Sequence, residues 1–236
     1  MWTPSALGSE LTPYKGRVIR VVEAQHRIST NRLASNLDDQ ALLEILADEV
    51  KPQLPSSALH LPWLLASPFR YGLGRPSRFR SPDVMPGIFY ASEKVETAIT
   101  EAAYWRLLGF SRSPGFQRPS TPTPMSAFSV RVETLRAVDL TQGPLAKDQA
   151  QWIHPTDYTA TQALGSNARA AGAELIRAYS ARAAGEVNVA VLDPAALRPP
   201  PRPHSSWAFT ASEDGMIASQ ELGVKTLRFT PDDFGL

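Results

Sequence analysis

A mixed α+β fold is predicted: a β-sheet core with packed helices, preceded by a helical N-terminal part. Three observations lead there. Apolar residues make up 43% of the 236-residue chain, enough for a sizeable core. Residues 36–50 carry a helical apolar period, whereas the chain beyond residue 60 mixes one helical stripe with short apolar runs. Those helices and strands alternate incompletely, which disfavours a doubly wound parallel sheet. The division expected is a helical extension over 1–60 and a mixed body over 61–236.

The elements follow in order. "VIRVVEAQHRIST" reads as a helix with Val18, Val21, Val22 and Ile28 on one face. "NLDDQALLEILADEV" is amphipathic through Leu42, Leu43, Leu46 and Val50. Asn36 or Asp38 caps it and Pro52 stops it. "KPQLPSSALHLP" is a proline-punctuated connection. "PGIFYAS" is a strand, and "SEKVETAITEAAYWRLLGF" a helix with Ser92 as N-cap and Glu93 in its first turn. "SPGFQRPSTPTP" is a proline-rich loop, and "MSAFSVRVETLRAVDL" forms one or two strands. "TDYTATQALGSNARAAG" is a helix that Gly172 stops. "AELIRAYS" and "GEVNVAVLD" are strands. "LRPPPRPH" is a linker, because prolines cannot pair in a sheet interior. "SSWAFTA", "MIASQ" and "VKTLRFT" close the sheet.

The totals narrow the function. Net charge is +1, so any basic site has to be a local cluster. With no cysteine, disulfides, thiol nucleophiles and thiolate metal sites are excluded. His26, His60, His154 and His204 show no ligand spacing, so no metal is expected. "MWTPSALGSE" has neither a basic stretch nor an apolar signal core, and no run reaches the length of a membrane span. A cytoplasmic protein without a membrane partner is expected.

One cluster stands out. "FRYGLGRPSRF", residues 69–79, sets Arg70, Arg75 and Arg78 among Phe69, Tyr71 and Phe79. Between Val50 and Pro82 there is no Asp or Glu. Arginine forks bind phosphates bidentately and stack on flat rings, so the stretch reads either as a solvated loop or as a cradle for an anionic, ring-bearing ligand. Glu101 flanks the apolar stripe of its helix and faces either cleft or solvent. Ser180, at a strand end, bonds a ligand or caps its own turn. No nucleophile elbow, GxGxxG or P-loop lysine motif is present.

Taken in order, these segments resemble the RES-domain family, named for an arginine, a glutamate and a serine. "PFRYG" matches at Arg70, "FYASEKVETAITEAAYWR" at Glu101 and "AYSAR" at Ser180, with "SRF", "HPTDYTATQALG" and "VNVAVLDPAAL" adding to the likeness. The resemblance runs from roughly residue 60 to 200. It implies a fold similar to diphtheria-toxin-like ADP-ribosyltransferases. It also implies a bacterial toxin that consumes NAD+ as substrate, by ADP-ribosylating a protein, by hydrolysis or by phosphorolysis. The implied partners are an Xre/ParS-type antitoxin, with DNA reached only through it, and a protein target. Glu101 would stabilise the ribose cation, and Ser180 would orient it or touch the ribose. Arg70 would bind phosphate or ribose, with Arg78 in support. Tyr71 and Tyr90 would contact the nicotinamide part. The competing class is a non-enzymatic polyanion-binding module.

Overall fold

The architecture is that of a computed structural model, which describes residues 2–24, 38, 39, 42, 46, 51–72, 74, 76–113 and 115–236. Among the described residues it is α+β, with eight strands and a few helices. The strands are β1 (Thr12–Glu23), β2 (Phe89–Ser92), β3 (Thr123–Asp139), β4 (Leu175–Tyr179), β5 (Val187–Val191), β6 (Leu197–Ser212), β7 (Gly215–Gln220) and β8 (Thr226–Phe229). The helices that matter below are α1 (Pro4–Ser9), α2 (Trp63–Arg70), α3 (Val95–Ser111), α4 (Gln149–Trp152) and α5 (Thr159–Ala170).

The sheet runs β1-β2-β5-β4-β3-β6-β7-β8, and β1 also pairs with β3. One edge of β3 carries β1. Its other edge carries β6 along Thr123–Val132 and then, in parallel, β4 along Ala137–Asp139. Across the opening of this ring, β1 and β2 meet only at Ile19 and Ser92.

The helix expected over "VIRVVE" is instead strand β1. Val18, Ile19, Val21 and Val22 are β-branched, a composition that suits a strand. Both faces of β1 are covered at Val18 and Ile19. Val18 joins the core of Leu65, Phe69, Phe89 and Val130, whereas Ile19 joins that of Ile99, Trp207 and Phe209. A strand buried on both faces loses the alternation that marks strands in a sequence. "QHRIST" and most of 36–50 lie outside the described residues. Asp38, Asp39, Leu42 and Leu46 are helical, and both leucines are exposed.

Two further expectations change. The proline stretch is the first half of β6 and not a linker. It pairs with β3 through Arg198, Arg202 and Pro203, while β7 pairs only from Trp207 onward. With a single neighbour and a register break between Arg198 and Arg202, this half of β6 needs fewer ladder N–H groups than a sheet interior does. Helix α3 starts after Lys94, which makes no side-chain cap. Ser92 donates instead to Asn188, and Glu93 accepts from Arg177 Nε at 2.7 Å and Nη2 at 3.1 Å. The Tyr14 hydroxyl donates to the same carboxylate at 3.2 Å. This half-buried network ties β1, β2 and β4 together at one end of the ring. Burial and the Glu93 charge both push the Tyr14 hydroxyl pKa up, so it stays a donor.

The third core lies under α5. Phe79, Ile88, Leu164, Ile176 and Ala190 pack there. Gly165 brings α5 against the Phe79 carbonyl so closely that a Cβ would sit 2.1 Å from that oxygen. The loop carrying Arg78 is thereby clamped between helix and sheet.

Candidate active site

A cavity of about 290 Å³ opens between α3 and the sheet. Ala98, Glu101, Ala102 and Trp105 line it from α3, the i, i+3, i+4, i+7 spacing of one helical face. Ile19, Arg20 and Val21 of β1, Tyr90 and Ser92 of β2, and Asn188 of β5 face them, with Arg78 on the preceding loop.

Glu101 is the centre of the polar wall. Its Oε1 accepts from Ser180 Oγ at 2.7 Å and from Asn188 Nδ2 at 2.6 Å. Ser180 is 4% exposed. Its Oγ accepts the backbone N–H groups of Arg182 and Ala183, each at 3.0 Å. Those bonds occupy its lone pairs and leave the hydroxyl proton for Glu101. Glu101 Oε2 has no hydrogen bond among the described residues. The structure thus brings Glu101 and Ser180 into direct contact across 79 positions of sequence.

The cations fall differently from the sequence expectation. Arg70 ends α2 and Tyr71 is 49% exposed; neither lines the cavity. Arg20 does. Its Nη1 donates to the Tyr90 carbonyl at 2.6 Å, and its guanidinium lies 5.2 Å from the Phe89 ring centroid. Its Nε is buried without a hydrogen-bond partner among the described residues, and burial pulls its pKa down to about 10. β1 and β2 pair at one position only, which exposes the Tyr90 carbonyl to this side chain. Arg78 is the second cation. Its Nη1 donates to the Trp152 and His154 carbonyls, both at 2.9 Å, and it stacks 4.6 Å from the Tyr158 ring. Burial lowers its pKa, and Tyr158 opposes that shift. Arg80, from the same basic run, turns inward to the carbonyls of Gly72 and Val84. Arg75 lies outside the described residues.

Tyr90 lines the cavity and also packs against the core under α5. Its hydroxyl is committed, donating to Ser77 Oγ at 2.9 Å and accepting from the Phe79 N–H at 3.2 Å. Arg182 completes the surroundings, 3.8 Å from the Tyr104 ring and donating to the Tyr158 hydroxyl at 3.0 Å.

Sequence reasoning missed Arg20, Asn188 and Trp105. The signal for Arg20 was a lone charge within a β-branched run. Asn188 was likewise the one polar residue of the strand Val187–Val191.

Among the described residues, no group of His, Asp and Glu could hold a metal, and no helix is long and apolar enough to cross a membrane.

A sheet with a cavity walled by a held carboxylate and two cations is arranged to bind an anionic ligand and to meet positive charge developing on it. The RES-domain family model matches residues 54–212, and the chain belongs to that family. Among solved structures, it is similar to the crystal structure of the M. tuberculosis MbcT–MbcA toxin–antitoxin complex. Identity is 15% and the TM-score 0.47, over 86% of this chain and 92% of that one. No curated protein matches the sequence.

Proposed function

We propose that this chain is an NAD+-consuming toxin that cleaves the nicotinamide–ribose bond and transfers ADP-ribose to a protein target. Its sheet would then belong with the diphtheria-toxin-like ADP-ribosyltransferases. A cognate Xre/ParS-type antitoxin would neutralise it. The observation that carries the reading is the Glu101 carboxylate. It has one oxygen tied by two donors and the other without a hydrogen bond among the described residues, on the wall of a cavity that also holds Arg20 and Arg78.

The chemistry follows from the charges. The C1′–N bond breaks and its electron pair leaves with nicotinamide, which becomes neutral. Positive charge spreads over ribose C1′ and the ring oxygen. A carboxylate beside it stabilises the transition state more than the ground state. The acceptor's nucleophile then adds to C1′ and gives up its proton. Arg20 and Arg78 bind the pyrophosphate, taking the role that the sequence assigned first to Arg70. Tyr90 and Trp105 offer rings to the flat base, and Ser180 holds Glu101. At about 290 Å³ the cavity is at the small end for ligand pockets, so it suits the nicotinamide riboside half.

The test is nicotinamide release from NAD+ by the purified chain, with Glu101→Gln as control. Release with lysate, together with a labelled protein band, supports transfer. Release by the chain alone means hydrolysis, or phosphorolysis if phosphate is required. No release under any condition, with salt-sensitive polyanion binding, returns the chain to a binding module.

A further inference from the structure

We infer that Asn188, anchored by Ser92, is a positioning residue that sets which oxygen of Glu101 faces the ligand. The inference rests on the proposed role of Glu101 and adds how the fold aims it.

A glutamate on a helix reaches its target through three torsions, and the last of these is broad and nearly two-fold. One donor cannot hold such a group. Ser180 supplies one bond, from the loop after β4. Asn188 supplies the second from β5, and both end on Oε1. Two bonds to a charged acceptor, from separate elements, stop the carboxylate from turning. Oε2 is left for the ribose.

Asn188 can do this only if its amide points the right way, with nitrogen toward Glu101. Ser92 decides that. The Ser92 hydroxyl lies 2.6 Å from Asn188 Oδ1 and donates to it. Reversing the amide would set oxygen against the carboxylate and NH2 against the serine hydroxyl, at the loss of a bond to a charged group. Ser92 is 2% exposed and is the register partner of Asn188 across β2 and β5. It is also the single position where β2 meets β1. The relay Ser92–Asn188–Glu101 is therefore built into strand register, which places it more firmly than a loop would.

The experiment uses the full chain as wild type, Asn188→Ala, Asn188→Asp and Ser92→Ala, with folding checked by thermal unfolding and nicotinamide release followed across pH. Asn188→Ala is expected to lower kcat about 10- to 100-fold, the range for groups that orient a catalytic one, with KM changed less than about threefold. Asn188→Asp places a second carboxyl against the first, and such a pair shares one proton. While that proton is held, its O–H replaces the amide donor and activity persists. As pH rises and the proton leaves, repulsion displaces Glu101. The variant should show an alkaline limb that the wild type lacks. Ser92→Ala, the milder change, should lower kcat about 3- to 10-fold.

Wild-type kcat in Asn188→Ala overturns the inference. So does an Asn188→Asp pH profile that superimposes on the wild type's, because a merely structural role would not create the limb. If Asn188→Ala does not fold, Ser92→Ala decides by the same split of kcat from KM. Should the wild type itself release no nicotinamide, the proposed function fails and the inference is judged from crystal structures. A Glu101 carboxylate in the same single position in wild type and Asn188→Ala would then refute it.

Discussion

Replacing Glu101 by glutamine removes a charge and almost nothing else. The side chain keeps its length, and its Oε1 can still accept from Ser180 at 2.7 Å and Asn188 at 2.6 Å. The amide NH2 then occupies the place of Oε2. Stability should change by less than about 1 kcal/mol, because the two bonds survive and no cavity forms. The effect on turnover is electrostatic. A unit charge about 4 Å from the ribose cation, at the effective dielectric of a partly buried site, contributes about 4 kcal/mol. At 1.36 kcal/mol per decade this is about a thousandfold in kcat. The assay is the initial rate of nicotinamide release at saturating NAD+, with unfolding curves for both proteins. A folded Glu101→Gln protein that keeps more than about a third of wild-type kcat would refute the electrostatic argument.

Binding of NAD+ by calorimetry on the Glu101→Gln background should separate the arginines. Arg20→Ala is expected to weaken affinity about 10- to 100-fold, the worth of a charge-assisted bond, and Arg70→Ala by clearly less. An equal loss from Arg70→Ala would move the phosphate site back to α2. Gly165→Ala should destabilise the fold by about 1–3 kcal/mol in urea unfolding, despite alanine's better helix propensity. The atoms a Cβ would meet are the backbone of Phe79 and not the end of a flexible side chain. It should also weaken NAD+ binding, because Arg78 adjoins the displaced residue, and unchanged stability would show the clamp to be slack. Finally, the bond from Lys225 holds the Glu96 carboxyl below its ordinary pKa. A lowered folded-state pKa contributes stability above the unfolded value, and that contribution is lost as pH falls through the folded one. Both groups are partly exposed, so Glu96→Gln should cost under about 1 kcal/mol at pH 7. The difference from wild type should vanish on acidification. A gap that persists at pH 2–3 would mean that the glutamine disturbs packing.

Much of this protein was legible as sequence because the cues were local. Helix α3 and strands β2, β4, β5 and β7 carry periods, β-branched runs and turn residues within a few positions of one another. Glu101 and Ser180 stood out only through the family resemblance, which also pointed to Arg78 and Tyr90. What the sequence could not determine was set by contacts over long separations. β1 read as a helix because Val18, Ile19, Val21 and Val22 break the alternation of a strand, and only its pairing with β3 across more than a hundred residues makes it a strand. Arg20 and Arg70 look alike in composition. Only the ring of strands decides that Arg20 reaches the cavity at the one-position junction of β1 and β2, while Arg70 does not. Asn188 looked like an ordinary strand residue until register set it between Ser92 and Glu101. Local physics therefore determined which elements form. Pairing and register, which carry no signature within a short window, decided which polar side chains meet.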